Sequence, residues 1–394
     1  MVSIFFVISG YVLSDRVVHL RHQFLRAGSR QGGIASGESL AAVLASSIVR
    51  RGVRLFQPAL ITSATILVLV HLGLYDNDRL ARLFPKFHPP RAARLPGTAA
   101  QLKDWSSWVV HELTNPWDWE SLKSPAAATY ASHLWTIPAE FRCSMVLFAL
   151  LLPLSQMRPG LRAGMIWASL LAYCALWERW DMALFLAGLG LAVGDGEENR
   201  LKHPRDSECG GGYIMSTLPR MSSTTMPHLG FRSIWSEFAA LLPILTLLAG
   251  AWLASFPDEH GHEAAGFVLL GFISRSRHLW HAAGAILIVW SVRRVEAIKV
   301  LLLHPLFRYL GCISFSLYMV HEPILQVWGW WWTGWLKSTC VDVAPWAPES
   351  MVILAAFCTV TTFVILVADY AWTLVDKPAV RSSKCLERYL FDPK

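Results

Sequence analysis

Residues 238–256 read Phe238-Ala-Ala-Leu-Leu-Pro-Ile-Leu-Thr-Leu-Leu-Ala-Gly-Ala-Trp-Leu-Ala-Ser-Phe256, a run without a single charge. At 1.5 Å per residue, a helix of this length approaches the roughly 30 Å of hydrocarbon in a bilayer. Residues 351–368 are equally uncharged and continue toward residue 373. The run 56–74 carries only one His, near its end. Working outward from these three, shorter apolar stretches occur at 135–154, 163–177, 182–194, 279–292 and 309–326. Bundles tolerate such weak segments because neighbouring helices satisfy and shield their polar groups. With the apolar N-terminal run 1–14 the reading reaches nine crossings.

The composition agrees. Of 394 residues, 54% are hydrophobic and 16% charged, against roughly 25% charged in a soluble domain, which argues against an ordinary soluble enzyme. The net charge of +7 is open between nucleic-acid binding and membrane topology until it is divided by segment. With 15–55 in the cytosol and sides alternating, the cytosolic segments hold 23 Lys and Arg and the opposite side 11. Seven of those 11 lie in the long loop 75–134, which the positive-inside rule weights lightly. The charge therefore reads as orientation, and no nucleic-acid partner is expected. Trp105, Trp108, Trp117 and Trp119, and later Trp328, Trp330, Trp331, Trp332 and Trp335, fall on the outer side, a depth that suits amphipathic rings.

The predicted fold is all-α: a polytopic transmembrane helix bundle forming one domain over 1–394. A Gly- and Ser-rich segment at 195–233 is expected to be a flexible cytosolic insertion, and 75–134 a long non-cytosolic loop. Met1 to Ser14 begins apolar without the basic start of a signal peptide and is too short to span. It reads as the tail of a transmembrane helix that begins upstream. The seven cysteines contain no C-x-x-C pair, so neither a disulfide framework nor a zinc site is expected. Asp258-Glu-His-Gly-His-Glu263 reads as a solvated loop, and no metal is assigned.

Three clusters are candidates for chemistry. Arg50-Arg51-Gly-Val-Arg54 sits where the first cytosolic segment enters a span. Arg50 and Arg54, four apart, share a helical face; their guanidinium forks suit phosphate, and equally suit lipid headgroups. Glu140 and Arg142 open an apolar run in His133-Leu-Trp-Thr-Ile-Pro-Ala-Glu-Phe-Arg142. An ionisable group inside a membrane is costly, which makes Glu140 either functional or a bundle-holding partner for an Arg. Its spacing of seven from His133 suggests a shared face, with Pro138 a disturbance in the first turn. Finally, Gly311, Ser314, Tyr318 and His321 form a small and polar stripe on an otherwise apolar helix, suited to close packing or to a polar cavity. Asp369 reads as a supporting or headgroup-level residue.

Taken in order, Phe5-Phe-Val-Ile-Ser-Gly-Tyr-Val-Leu13, Arg50-Arg51-x-x-Arg54-x-x-x-Pro58, Leu134-Trp-Thr-Ile-Pro-Ala-Glu140-Phe, Gly311-x-Ile-Ser-Phe-Ser-Leu-Tyr-Met-Val-His321 and Asp376-Lys-Pro378 resemble the acyltransferase-3 family of integral-membrane O-acyltransferases, its fungal members most. The resemblance implies about ten spans and transfer of an acyl group from acyl-CoA, a co-substrate and not a bound cofactor, to a hydroxyl of a sugar, lipid or small metabolite. It implies a multi-pass protein of a eukaryotic endomembrane or plasma membrane. It also implies catalytic roles for Glu140 and His321, donor binding by Arg50, Arg51 and Arg54, and a substrate pocket lined by Trp135, Ser314 and Tyr318. The family carries a catalytic Arg and His on a helix just upstream of the Phe-Phe run. Two other readings stay open on the residues alone: an inactive relative serving as a partner subunit, and a transporter or substrate-binding protein using Glu140 and His321 as a relay.

Overall fold

The computed structural model describes residues 2–28, 35–75, 92–117, 130–173, 179–202, 234–257, 261, 263–274, 276–343 and 348–391, and no strand occurs among them. The helices are α1 (Val2–Gly28), α2 (Ala35–His71), α3 (Thr98–Trp108), α4 (Thr136–Gln156), α5 (Pro159–Leu171), α6 (Trp180–Lys202), α7 (Ile234–Ala254), α8 (Val268–Ile273), α9 (Arg277–Val292), α10 (Glu296–Leu302), α11 (Pro305–Ile324), α12 (Trp330–Val343), α13 (Glu349–Ala371) and α14 (Lys377–Phe391). The all-α reading holds. Among the described residues, three helical stretches are long and apolar enough to cross a bilayer: Leu40–His71, Ser132–Gln156 and Glu349–Phe391. Glu296–Leu302 with Pro305–Cys340 adds a fourth if read as one broken span. That is fewer than the nine read from sequence, for a physical reason: α5 and α9 have 13 and 16 residues, about 20–24 Å of helix. α7, by contrast, has 21 residues, about 31 Å of helix, and reaches a full span by length.

The segment expected as a cytosolic loop at 15–55 is helical wherever it is described, in two stretches that flank residues 29–34. α1 runs on to Gly28 and α2 begins at Ala35. α2 is therefore 37 residues long, about 55 Å, and Arg50, Arg51 and Arg54 lie near its middle rather than at its entry. Of the insertion at 195–233, residues 195–202 complete α6 and the rest lie outside the described residues. So do 76–91 and 118–129 of the long loop, and 258–260 and 262 of the His-bearing loop.

The chain divides into two compact units. One comprises Met1–Gly32 and Leu150–Leu301. Within it α1 packs on α6, and α7 on α9. The α1/α6 contact is nearly backbone to backbone: a Cβ on Gly10 would land on the Phe185 main chain, and one on Gly188 on the Val7 carbonyl and Tyr11 amide. Phe6, Val7, Met182, Phe185 and Leu186 fill the buried seam beside it. At its polar end the Tyr11 hydroxyl donates to Asp195 at 3.0 Å, Arg293 pairs with the same carboxylate, and the Arg293 guanidinium lies over the Tyr11 ring.

The other unit comprises Gly33–Ala149 and Leu302–Lys394. α2 packs on α14 and α11, and α11 on α13. Its core joins Leu55, Ile66 and Val70 of α2 to Trp108, Tyr130, Leu134, Ile137 and Met319. The Phe56 ring meets Phe141 edge-on, fixing α2 against α4. Gln101, almost fully buried, accepts from the Leu95 amide and donates to the Tyr130 hydroxyl, which in turn donates to Asp104 at 2.8 Å. Arg142, 1% exposed, donates to the Pro116 carbonyl at 2.9 Å. These bonds seat the segment before α4, and with it the candidate site.

Candidate functional site

Pro138 does not disturb α4. It is the third residue of the helix, where backbone N–H groups have no intrahelical acceptor, so a missing donor costs nothing. The helix therefore runs unbroken through Thr136 and Glu140, which are four apart and lie on one face. Both are buried.

Glu140 pairs with Arg51 of α2. The pair links the second sequence cluster to the first, and it is largely removed from solvent on both sides: the side chains are 5% and 16% exposed. Arg51 keeps one donor in reserve, since its Nε–H is buried and has no partner among the described residues. A buried guanidinium donor without an acceptor calls for an explanation, because a buried polar group is ordinarily bonded. The other two arginines behave differently. Arg50 pairs with Glu387 of α14 at 3.1 Å and donates to the Ser47 hydroxyl. Arg54 is exposed, and no hydrogen bond or ion pair involves it among the described residues.

One turn before Glu140 a second polar group forms around α11. The Thr136 hydroxyl meets the Tyr318 hydroxyl at 2.6 Å, and Tyr318 also donates to the His133 carbonyl. His133 sits in the tight turn Ser132–Trp135. Its Nδ1 meets Glu322, and that carboxylate also accepts from Ser132 Oγ at 2.7 Å and the His133 amide at 3.0 Å. The other nitrogen of His133, Nε2, lies 3.2 Å from the Met319 carbonyl. Pro323 explains that bond: a proline inside a helix cannot donate to the carbonyl four residues back, which here is Met319. Both ring nitrogens of His133 thus face acceptors, Glu322 on one side and the Met319 carbonyl on the other. His321 lies beside this pair, ring centroids 5.1 Å apart, with Nδ1 2.6 Å from the Tyr318 carbonyl. Its Nδ1 is therefore the protonated nitrogen in the neutral ring.

The structure thus joins Glu140 to Arg51 and joins His321 to Tyr318, His133 and Glu322. No bond links Glu140 with His321 among the described residues; the connection runs through Thr136 and the turn of α4. The polar stripe divides. Tyr318 and His321 turn inward, whereas Ser314 is exposed with its hydroxyl on the Gly311 carbonyl, and a Cβ at Gly311 would meet open space. Trp135 is half-buried in the turn before α4. Asp369 accepts from the Tyr309 hydroxyl at 3.0 Å at an exposed position. Sequence reading passed over Glu322 as a site residue, although a carboxylate beside His321 and before a proline in an apolar helix was the available signal. The His133 partner proved to be Glu322, on another helix, and not Glu140.

A family model described as an acyltransferase domain, acyltransferase 3, matches residues 1–369. This chain belongs to the acyltransferase-3 family. It is accordingly a membrane-embedded enzyme of the transferase class. Among characterised relatives it is 28% identical to O-acetyltransferase PaAT-1 of Phomopsis amygdali, over 97% of this chain and 73% of that protein. It is 24% identical to acyltransferase R4 of a Phoma species, over 98% of this chain and 80% of that protein, and 24% identical to acyltransferase clz18 of Cochliobolus lunatus, over 92% and 76%. No solved structure matches the chain.

Proposed function

We propose that this acyltransferase moves an acyl group from acyl-CoA to a hydroxyl of a sugar, lipid or small metabolite, in a eukaryotic endomembrane or the plasma membrane, with Glu140 and Arg51 at the reaction centre. The observation that carries the reading is the buried Arg51 Nε–H, held without an acceptor beside a carboxylate. Acyl transfer to a hydroxyl needs a base, donors for the developing oxyanion, and an anchor for the donor's phosphates. Glu140 accepts the proton of the attacking hydroxyl. The oxygen bonds to the thioester carbonyl carbon, and the negative charge that builds on the carbonyl oxygen meets the Arg51 Nε–H. Collapse breaks the C–S bond, and the CoA thiolate leaves with the proton returned from Glu140. Arg54, exposed on the same helix, takes the donor's phosphates, with Arg50 flanking it. Tyr318, bonded to Thr136 and the His133 carbonyl, holds the turn before α4 with His321 packed beside His133, and so sets the depth of Glu140. The name of the PaAT-1 relative makes acetyl-CoA the first donor to try.

The test is transfer of radiolabelled acetyl from acetyl-CoA to hydroxyl acceptors by membranes carrying the chain. Glu140→Gln is expected to lower transfer by about 10²–10⁴-fold, the usual worth of a general base. His321→Asn is expected to lower it less. Transfer by Glu140→Gln at the wild-type rate would overturn the assignment.

A further inference from the structure

A cavity of about 630 Å³ lies among α2, α11, α13 and the turn that follows α13. It falls within the roughly 300–1,000 Å³ of ordinary small-molecule sites. Its walls are apolar except for Thr62, Thr65, Ser316 and Asp376. The α2 wall runs from Pro58 to Leu69 and the α11 wall from Ser316 to Trp328, so the slot is roughly 16–18 Å long. Its two ends differ. At one end the rings of Trp328 and Phe363 meet at 4.8 Å. At the other stands Asp376, 6% exposed, whose Oδ1 is buried and has no partner among the described residues.

Asp376 ends the π-helical turn Trp372–Asp376 between α13 and α14, a form of helix often found at functional sites. The neighbouring cation does not neutralise it, because Lys377 Nζ lies over the Trp372 ring at 3.7 Å. Arg54 is near enough for its charge to act on the carboxylate. Arg51, Arg54, Pro58, Ile61 and Thr65 recur at helical spacing along one face of α2, so the cavity wall continues into the arginine cluster. Tyr318, His321 and Glu322 lie on the face of α11 turned away from the cavity, opposite Ser316, Met319 and Pro323. The slot is therefore separate from the histidine network, and its Asp376 end is the one near Arg54.

We infer that this cavity holds the acceptor before transfer, and that the acceptor is an apolar alcohol whose hydrocarbon body fills the slot while its hydroxyl donates to Asp376 Oδ1, a bond it exchanges for Glu140 when it reacts. The inference rests on the O-acyltransferase reading and adds the acceptor class. A lipid tail or the acyl chain of the donor would suit the apolar walls, but neither supplies a donor for a buried carboxylate oxygen. An alcohol supplies both the apolar body and the proton.

The probe is dodecanol carrying a diazirine near its far end, added to the full chain in phosphatidylcholine proteoliposomes. Photolabelled peptides are expected to map to 316–328 and 363–376. Dodecanol is expected to compete at least ten-fold better than dodecyl methyl ether, which lacks the hydroxyl proton. Ala371→Trp and Val367→Trp, which fill the slot at different heights, should each abolish labelling, and Asp376→Asn should remove the preference for alcohol over ether. Equal competition by the ether, or labelling unchanged in both Trp variants, would overturn the inference. Labelling needs no acyl donor. Saturable, alcohol-selective labelling without acetyl transfer to dodecanol thus upholds the site while counting against the proposed reaction there.

Discussion

Replacing Glu140 by Gln keeps the shape of the side chain and removes one charge of the Arg51–Glu140 pair, leaving a guanidinium without its counter-charge in a largely dry setting. Breaking a buried pair by neutralising one partner costs about 3–5 kcal/mol when both are fully buried. Arg51 keeps 16% side-chain exposure, so the low end, about 3 kcal/mol, applies, or roughly a 150-fold shift in the unfolding equilibrium. Removing both charges with apolar residues of similar volume should recover most of that loss, since a paired charge and a well-packed apolar pair are often equal in stability. Four proteins, wild type, Glu140→Gln, Arg51→Met and Arg51→Met with Glu140→Leu, would be unfolded in mixed micelles by rising SDS fraction. The expected pattern is two unstable single variants and a double variant within about 1 kcal/mol of wild type, with acetyl transfer lost in all three variants. Glu140→Gln within about 0.5 kcal/mol of wild type would refute the buried pair. A stable double variant that still transfers acetyl would leave the pair structural only.

Gly188→Ala should destabilise the unit that contains it by more than the usual 1–3 kcal/mol of an overpacked core, because its Cβ would meet backbone atoms of α1 that cannot rotate aside; thermal unfolding in detergent checks this, with exposed Gly160→Ala as the control. Tyr318→Phe removes the bonds to Thr136 and the His133 carbonyl and should cost about 1–2 kcal/mol, with a modest fall in acetyl transfer as the turn before α4 loosens. Tyr130, whose phenol is pushed up to about 12 by burial and by its bond to Asp104, lies before the span that begins at Ser132. Its contribution to stability is complete below the ordinary tyrosine value near 10 and is lost as pH rises through about 12. Tyr130→Phe should therefore flatten that alkaline part of a stability-against-pH curve, and an unchanged curve would place the titration elsewhere.

Sequence alone settled the helical, membrane-embedded class, because long uncharged runs can satisfy their backbone only as helices in a bilayer. It also picked out Arg51, Glu140, Tyr318 and His321, since polar groups in apolar runs stand out whatever they touch. It did not reveal which of them meet. Arg51 and Glu140 are 89 positions apart and pair because α2 runs unbroken where a loop was expected and because Phe56 and Phe141 hold α2 against α4. Helix continuity over 35–55 is legible only weakly because Gly37, Gly52, four serines and three arginines interrupt its Ala- and Leu-rich run, so propensity is a faint signal and packing decides. The partnership of His133 with Glu322 depended on Pro323 releasing a carbonyl, a consequence of proline chemistry that becomes visible only when the two helices are side by side. Asp376 was legible as part of a motif but not as the polar end of a cavity. A cavity is the space left between helices, and no single segment of the chain encodes it.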